Sequence, residues 1–176
     1  MAISTNTYAN PATITWTTLN SLASSNVAGA ACLALVNTAL GYLDDWLNLG
    51  IKLGTAPSGG FTNDLFVALI ASADGTNYAS PVANGTDQAI TLFQAPNWDI
   101  LQSGMQVQGT GWFYTGRLYT RGHATGDVVW GNFALAEAFN GSIPLKFQVF
   151  LMNSSGAALA ASGHTINYSG LTVTTV

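Results

Sequence analysis

The chain has 176 residues, a formal net charge of −4 and only 7% charged residues, whereas 48% of its residues are hydrophobic. About a quarter of the residues in an ordinary soluble domain are charged. We therefore expect much of this surface to be covered by partner subunits or to be built from Thr, Asn, Ser and Gly. The 4 basic residues are scattered singly. This argues against binding to nucleic acid or to a membrane surface, because phosphate neutralisation requires clustered Lys and Arg.

The cysteine content and the first residues bear on the compartment. Cys32 is the single cysteine, so no internal disulfide can form, and its apolar neighbours favour a buried small side chain over a reactive thiol. The N-terminus, MAISTNTYANP, lacks the basic and apolar regions of a secretory signal. We expect the chain to be made in a cytoplasm and to stay there until it joins an assembly.

The N-terminal region predicts an arm followed by one domain. Residues 1–12 are mostly small and polar and predict an N-terminal arm that is free to reach a neighbour. The length then suits a single domain over residues 13–176. Ile14 and Trp16 alternate with threonines, which predicts a half-buried strand over Thr13–Leu19.

The segment Val27–Leu43 carries no charge over its 17 residues. It is shorter than the roughly 20 strongly apolar residues that a bilayer requires, and Ala, Gly and the pair Asn37-Thr38 dilute it. The pattern predicts a strand followed by a loop or a short helical turn, with an amphipathic helix as the alternative because Ala and Leu favour it.

The clearest amphipathic strand covers positions 47–53. Leu47, Leu49, Ile51 and Leu53 alternate with Asn, Gly and Lys, which predicts one buried face and one polar face. Asp44 and Asp45 precede this strand. Because neighbouring strand residues point to opposite faces, these carboxylates are not expected to share a metal ion.

The stretch Asp64–Tyr78 predicts a strand that is buried on both faces and runs into a tight turn. Apolar residues occupy every position from Leu65 to Ile70, so apolar side chains leave both faces of a strand. The following Asp74-Gly75 pair favours a turn, in which Asp74 bonds to its own backbone rather than acting as a catalytic acid.

Further strands are predicted over Ile90–Phe93, Met105–Tyr114, Val128–Leu135, Pro144–Met152 and Thr165–Val176, separated by Gly-, Asn-, Ser- and Pro-rich turns. No convincing helix and no internal repeat appears. Eight or nine short strands predict an all-β protein, a two-sheet β-sandwich of jelly-roll type with a short N-terminal arm.

The residues that carry chemistry form no recognisable catalytic motif. His123 and His164 are the only histidines. His123 lies in a loop with Arg121 and Asp127 and is the best site candidate on chemical grounds, although a solvated loop histidine is the simpler interpretation. The sequence contains no zinc pattern, phosphate loop or dinucleotide fingerprint. We therefore expect no catalytic residue, no metal and no cofactor.

Two further groups of residues leave alternatives open. Asp99 and Glu137 are a conceivable glycosidase pair, but nothing in the sequence brings them together. Four aromatic residues could form a surface on which a sugar stacks, namely Trp112, Tyr114, Tyr119 and Trp130. Aromatic residues at alternating strand positions are, however, more often part of a core.

Four segments, in order, resemble a group of small virion structural proteins of tailed bacteriophages. The first is Leu19-Asn20-Ser21-Leu22-Ala23-Ser24, matching "l-x-x-L-A-s". The second matches "N-x-x-x-x-Y-L-D-x-x-L-x-v-x-v" through Asn37, Tyr42, Leu43, Asp44, Leu47, Leu49 and Ile51. The third, Phe66 to Tyr78, is similar to "v-x-v-y-l-x-a-S-x-D-G-T-N-Y". The fourth matches "v-x-N-x-t-G-a-a-L-x-x-s-G-x-x-v-x-Y" through Phe150, Asn153, Gly156, Ala157, Ala158, Leu159, Ser162, Gly163, Ile166 and Tyr168.

The resemblance spans Leu19 to Tyr168 and is weakest over Ala95 to Asn140. It implies a non-enzymatic particle component, in first place a capsid decoration or cement protein that stabilises contacts between capsomers. Its expected partners are the major capsid protein and further copies of itself, as a dimer or trimer, and its expected location is the capsid surface of the virion. The alternative is a tail- or fibre-associated module that binds host surface carbohydrate, and an enzyme acting on cell-wall glycans is the third possibility.

Overall fold

A computed structural model describes residues 4–8, 11–24, 28–36, 44–58, 64–78, 85–91, 112–141 and 143–175. This part of the chain forms ten strands. They are β1 (Ser4–Tyr8), β2 (Ala12–Thr13), β3 (Ala28–Val36), β4 (Asp44–Lys52), β5 (Leu65–Ser72), β6 (Gln88–Thr91), β7 (Trp112–Leu118), β8 (Val128–Ala134), β9 (Lys146–Asn153) and β10 (Thr165–Thr175). A 3-10 helix, Thr17–Leu19, and one helical turn, α1 (Leu135–Ala138), complete the regular elements of these residues.

The strands form two five-stranded sheets in which every pair is antiparallel. The first sheet has the order β1-β10-β4-β8, with β2 also paired to β10, and the second has the order β6-β3-β9-β5-β7. Side chains from both sheets meet in one core, including Leu47, Leu49, Leu65, Leu69 and Val149, each 0% exposed. The predicted all-β two-sheet sandwich is confirmed, whereas its jelly-roll type stays a prediction.

The two strongest strand predictions are confirmed residue by residue. In β4, Leu47, Leu49 and Ile51 are fully buried, and Leu53 beyond its end is buried as well. In β5, both alternating sets are buried, from Leu65 to Ile70. The segment Val27–Leu43 forms β3 over Ala28–Val36, so the helical alternative is wrong there; residues 37–43 lie outside the described residues.

The later strand predictions are confirmed with shifted ends. β6 begins two residues earlier than expected, at Gln88. The described residues of the predicted Met105–Tyr114 strand are its last three, and they belong to β7, which continues to Leu118. Positions 92–111 lie outside the described residues. The predicted strand Val128–Leu135 ends at Ala134, where α1 begins.

The structure corrects the strand predicted over Thr13–Leu19. Only Thr13 belongs to a strand, and Thr17–Leu19 forms a 3-10 helix. The first residue of this helix is bonded to a carboxylate 70 residues away in the chain. Asp87 Oδ2 accepts hydrogen bonds from the Thr17 backbone N–H at 2.9 Å and from the Thr17 hydroxyl at 2.7 Å, and thereby satisfies the start of this helix.

The N-terminal residues are also more ordered than a free arm. Ser4–Tyr8 pairs with Leu171–Thr175 of β10 and forms an edge strand of the first sheet. Its described side chains, Thr5, Thr7 and Tyr8, are exposed, so backbone hydrogen bonds hold this strand, together with one bond from the Thr172 hydroxyl to the Thr7 carbonyl at 3.2 Å.

None of the helices found in the described ranges is long and apolar enough to cross a bilayer.

Candidate binding face

The outer face of the first sheet is built by the strict alternation of β4. Because Leu47, Leu49 and Ile51 point into the core, Trp46, Asn48, Gly50 and Lys52 must face outward. Trp46 is 38% exposed. We call this surface the open face, and define it by the outward residues of β4, β8 and β10.

Strand β8 adds a second aromatic side chain to the open face. Val129, 3% exposed, points inward, so Trp130 and Asn132 point outward, and Trp130 is 58% exposed. Gly131 lies between them on the inner side. A Cβ atom at Gly131 would lie 2.1 Å from Leu118 Cδ2. The glycine therefore lets Leu118 of the second sheet pack closely against β8.

The Trp130 ring lies across the neighbouring strand. Gly50 is paired directly with Trp130, and a Cβ atom at Gly50 would lie 2.7 Å from both Cη2 and Cζ3 of the indole. The missing side chain at Gly50 therefore makes room for the ring. Trp46 lies four residues before Gly50, so the two indoles occupy positions roughly 13 Å apart along β4.

A row of three amides crosses the sheet between the two indoles. Asn132 is paired with Asn48, and Asn48 with Asn167. Asn167 Oδ1 is buried and finds no hydrogen-bond partner among the described residues. Asn132 is exposed and Asn48 half-buried. No hydrogen bond from either of these two side chains to the described part of the chain is found, so their donors and acceptors can serve a ligand.

Lys52 is the only charged side chain described on the open face, and it lies at the far end of β4. Beside it, the Lys52 backbone N–H donates to His164 Nδ1 at 3.2 Å, and His164 Nε2 lies 3.0 Å from the Ala160 carbonyl, to which it donates. Partial burial lowers the pKa of His164, and the Lys52 charge lowers it further, although the hydrogen bond to Ala160 acts in the opposite direction. His164 is thus a neutral, structural histidine at neutral pH.

The loop predicted as the best chemical site contains one close pair. His123 Nδ1 lies 3.4 Å from Asp127 Oδ2, and both side chains are partly exposed. The same carboxylate oxygen accepts the Ala124 backbone N–H at 2.8 Å, and the loop is fixed to the end of β4 because Leu53 N–H donates to the Asp127 carbonyl at 2.9 Å. These contacts shape a turn, and the interpretation of His123 as a loop histidine is favoured.

Asp64 and Arg117 form a second polar pair at the start of β5. Asp64 Oδ2 lies 3.7 Å from Arg117 Nη1, and Asp64 Oδ1 accepts the Thr120 backbone N–H at 3.1 Å. The Arg117 guanidinium also lies 5.3 Å from the Phe66 ring centre and 5.9 Å from that of Tyr119. The buried carboxylate thus joins the end of β7 to β5.

The segments quoted for the phage resemblance include a buried structural hub. Asn153 is 0% exposed. Its Nδ2 donates to the carbonyls of Leu22 at 3.0 Å and Ala157 at 2.8 Å, and its Oδ1 accepts from Ser155 N–H at 3.1 Å and the Ser155 hydroxyl at 2.7 Å. The first and fourth segments therefore meet at this amide, in a role that is structural.

The Asp74-Gly75 turn is confirmed. Asp74 Oδ1 accepts the backbone N–H groups of Thr76 at 2.8 Å and Asn77 at 2.7 Å, and Gly75 has a φ of 75°. The hydrogen bonds from Asn77 and Thr76 hold the pKa of Asp74 well below its usual range. Asp74 is a turn-former, as predicted.

The remaining sequence candidates form no site within the described residues. Glu137 is exposed on α1, and Asp99 lies outside the described residues. Asp44 and Asp45 are consecutive in β4, and the described residues contain no group of three or more potential metal ligands among His, Cys, Asp and Glu. Cys32 lies within β3, but its side chain is outside the description.

The core interpretation of the four aromatic residues is wrong for two of them. Tyr119 is 68% exposed and Trp130 58% exposed, whereas the side chains of Trp112 and Tyr114 lie outside the description. Sequence reasoning missed Trp46. The alternation of the strand could have revealed its exposure, because position 46 shares the outward register of Asn48, Gly50 and Lys52.

Comparison of this chain with protein-family models, with curated proteins and with solved structures finds no match.

Proposed function

We propose that this chain is a non-enzymatic structural protein of a bacteriophage virion, a decoration or cement protein that sits on the capsid surface between copies of the major capsid protein. The observation that carries the proposal is the open face, which presents two exposed tryptophans and few charged positions, Lys52 and the outward-register position Asp44 at the two ends of β4. A surface of this kind is suited to burial against another molecule, because exposed tryptophans dominate many interfaces and few charges must be desolvated.

The low charge of the whole chain supports an assembly role. With 7% charged residues, the surface lacks the dispersed charge that keeps most monomers apart in solution. Such surfaces often assemble symmetrically, so we propose a homodimer or homotrimer in addition to the contact with capsid protein.

Strand β1 offers a route for attachment. It lies at the edge of the first sheet, its described side chains are exposed, and it is paired with β10. Such a strand can be replaced by, or can extend to, a strand of a neighbouring subunit at small cost, since the backbone pairing is the same in either case.

The copy number in purified virions tests the proposal. Hundreds of copies spread over the shell are expected for a decoration protein. A few dozen copies or fewer at one vertex would contradict it and favour the alternative, a tail- or fibre-associated module that binds host carbohydrate.

Deleting residues 1–10 tests the role of β1. We expect weaker attachment to particles and a loss of β-sheet signal in circular dichroism no larger than the share of β1 itself, because the described side chains of β1 are exposed and the core is kept. A double substitution, Thr5→Ala with Thr7→Ala, keeps the backbone pairing and is the matched control, for which full attachment is expected. Unchanged occupancy after the deletion would exclude β1 from attachment.

A further inference from the structure

We propose that the open face binds an uncharged oligosaccharide, with Trp46 and Trp130 as stacking surfaces and Asn48 and Asn132 as hydrogen-bonding partners. This inference concerns the ligand of the face in the isolated chain. The proposed capsid contact uses the same face, so glycan binding by the isolated chain and attachment to particles are measured separately, and each proposal has its own failing result.

The two tryptophans and the amide pair follow one another along strand β4. Along β4, Trp46 and Asn48 are two residues apart, and the Trp130 ring lies over Gly50, two residues further on. Each two-residue step spans roughly 7 Å. An extended chain of a few sugar rings that follows β4 would meet an indole, an amide pair and a second indole in turn.

These side chains match the surface of a sugar. A pyranose ring has an apolar C–H face that packs on an aromatic ring, and hydroxyl groups around its edge. Tryptophan supplies a large rigid apolar surface. An Asn amide offers two N–H donors and an accepting oxygen, and sugar hydroxyl groups both donate and accept. The amides of Asn48 and Asn132, for which no hydrogen bond to the described residues is found, fit that edge.

The charge and the hydrogen-bonding groups of the open face favour a neutral sugar over a charged ligand or an apolar protein surface. Only Lys52, beyond Gly50, is charged among the described side chains of the face, so neither an anionic glycan nor a phosphorylated ligand finds a cluster of cations. An apolar protein surface would bury the amides of Asn48 and Asn132 without partners, and each unsatisfied polar group costs free energy. A layer of hydroxyl groups satisfies them.

The test is a titration of the intact chain with neutral cello-, chito-, malto- and galacto-oligosaccharides by isothermal calorimetry and tryptophan fluorescence, supported by an array of neutral bacterial glycans. We expect saturable binding to at least one neutral series. Trp46→Ala and Trp130→Ala should each weaken that binding at least about tenfold, and Asn132→Ala about threefold to tenfold.

Two further variants control for folding and location. Tyr119→Ala removes an aromatic side chain that is equally exposed but lies off the face, and its binding should equal that of the parent chain. Gly50→Ala places a methyl group where the Trp130 ring now lies. This variant should weaken binding because the Trp130 ring must move. Alanine is tolerated in a strand, so circular dichroism should show the parent fold.

Three outcomes would overturn the proposal. The first is that no neutral glycan binds the parent chain anywhere in the panel. The second is that Trp130→Ala and Tyr119→Ala bind alike. The third is that Trp130→Ala abolishes attachment to particles while the parent chain binds no glycan, which would make the open face a protein interface.

Discussion

The outer faces of the two sheets differ completely, although both belong to one small sandwich. In the second sheet, the outward residues Phe66, Ala68 and Ile70 of β5 and their partners Met152, Phe150 and Gln148 of β9 are at most 3% exposed. In the first sheet, Trp46 and Trp130 stand exposed around a row of amides. One outer face is therefore part of the folded interior, and the other is available for binding.

The amides Gln148, Asn48 and Asn132 follow the same division, whereas Asn167 Oδ1 on the open face is buried without a partner among the described residues. On the covered face, Gln148 is 0% exposed, yet its Oε1 accepts the Gly85 N–H at 3.1 Å and its Nε2 donates to the Thr86 carbonyl at 3.1 Å. On the open face, the side chains of Asn48 and Asn132 find no such bonds within the described part of the chain. A buried amide needs partners from the protein, whereas an exposed one is satisfied by water or a ligand.

The largest expected effect is on stability and separates the two faces. Phe150→Ala should lower the free energy of unfolding by about 4 kcal/mol, because a fully buried aromatic side chain is lost and a cavity remains. Trp130→Ala should lower it by less than about 1 kcal/mol, because most of that side chain is already in water. Urea denaturation of both variants measures the difference, and equal losses would contradict the division of the faces.

The second-largest expected effect is a difference in stability between variants of a buried and an exposed asparagine. Asn153→Ala should cost about 3 kcal/mol, since it removes the four hydrogen bonds of a fully buried amide and takes the partner from the buried Ser155 N–H. The Leu22 and Ala157 carbonyls keep their bonds from the Leu159 N–H and the Ser155 hydroxyl. Asn132→Ala on the open face should change stability by no more than about 0.5 kcal/mol. The midpoints of chemical denaturation of the two variants measure this difference in stability. A tolerated Asn153→Ala would show that the hub does not stabilise the fold.

The smallest expected effect is a pH dependence at the edge of the open face. The pKa of His164 is lowered in the folded chain, so its neutral form contributes stability that is present above the ordinary value of about 6.5 and is lost as the pH falls below it. The unfolding midpoint should drop between about pH 7.5 and about pH 5.5. His164→Gln should flatten this drop. His123→Gln is the control and should leave the drop unchanged; the reverse result would contradict the structural role of His164.

Sequence periodicity predicted much of the contrast between the faces. The apolar run of β5 indicated burial on both sides, and the alternation from Leu47 to Leu53 indicated one open side. Trp46 was missed because its size and hydrophobicity favour a core assignment. The alternation of β4 nevertheless places it on the outer face of the first sheet. Local pattern sets the direction of a side chain, but only strand pairing shows what lies beside it.

Other features depend on contacts between distant residues and could not be predicted. The 3-10 helix at Thr17 is bonded to the carboxylate of Asp87. The Trp130 ring lies over Gly50, which belongs to the neighbouring strand of the sheet. Strand β1 is polar and offers no hydrophobic pattern to the reader of the sequence, since the described contacts that hold it are its backbone pairing with β10 and the bond from the Thr172 hydroxyl. Such information is not local in the sequence.

The central claim is that binding takes place on the open face and not on the covered one. Hydroxyl-radical footprinting of the free and the bound chain, with a glycan ligand or with particles, tests it directly. We predict that Trp46 and Trp130 are oxidised in the free chain and protected in the bound chain, while Met152 resists oxidation in both. Oxidation of Met152 in the free chain and its protection on binding, with both tryptophans unchanged, would contradict the claim.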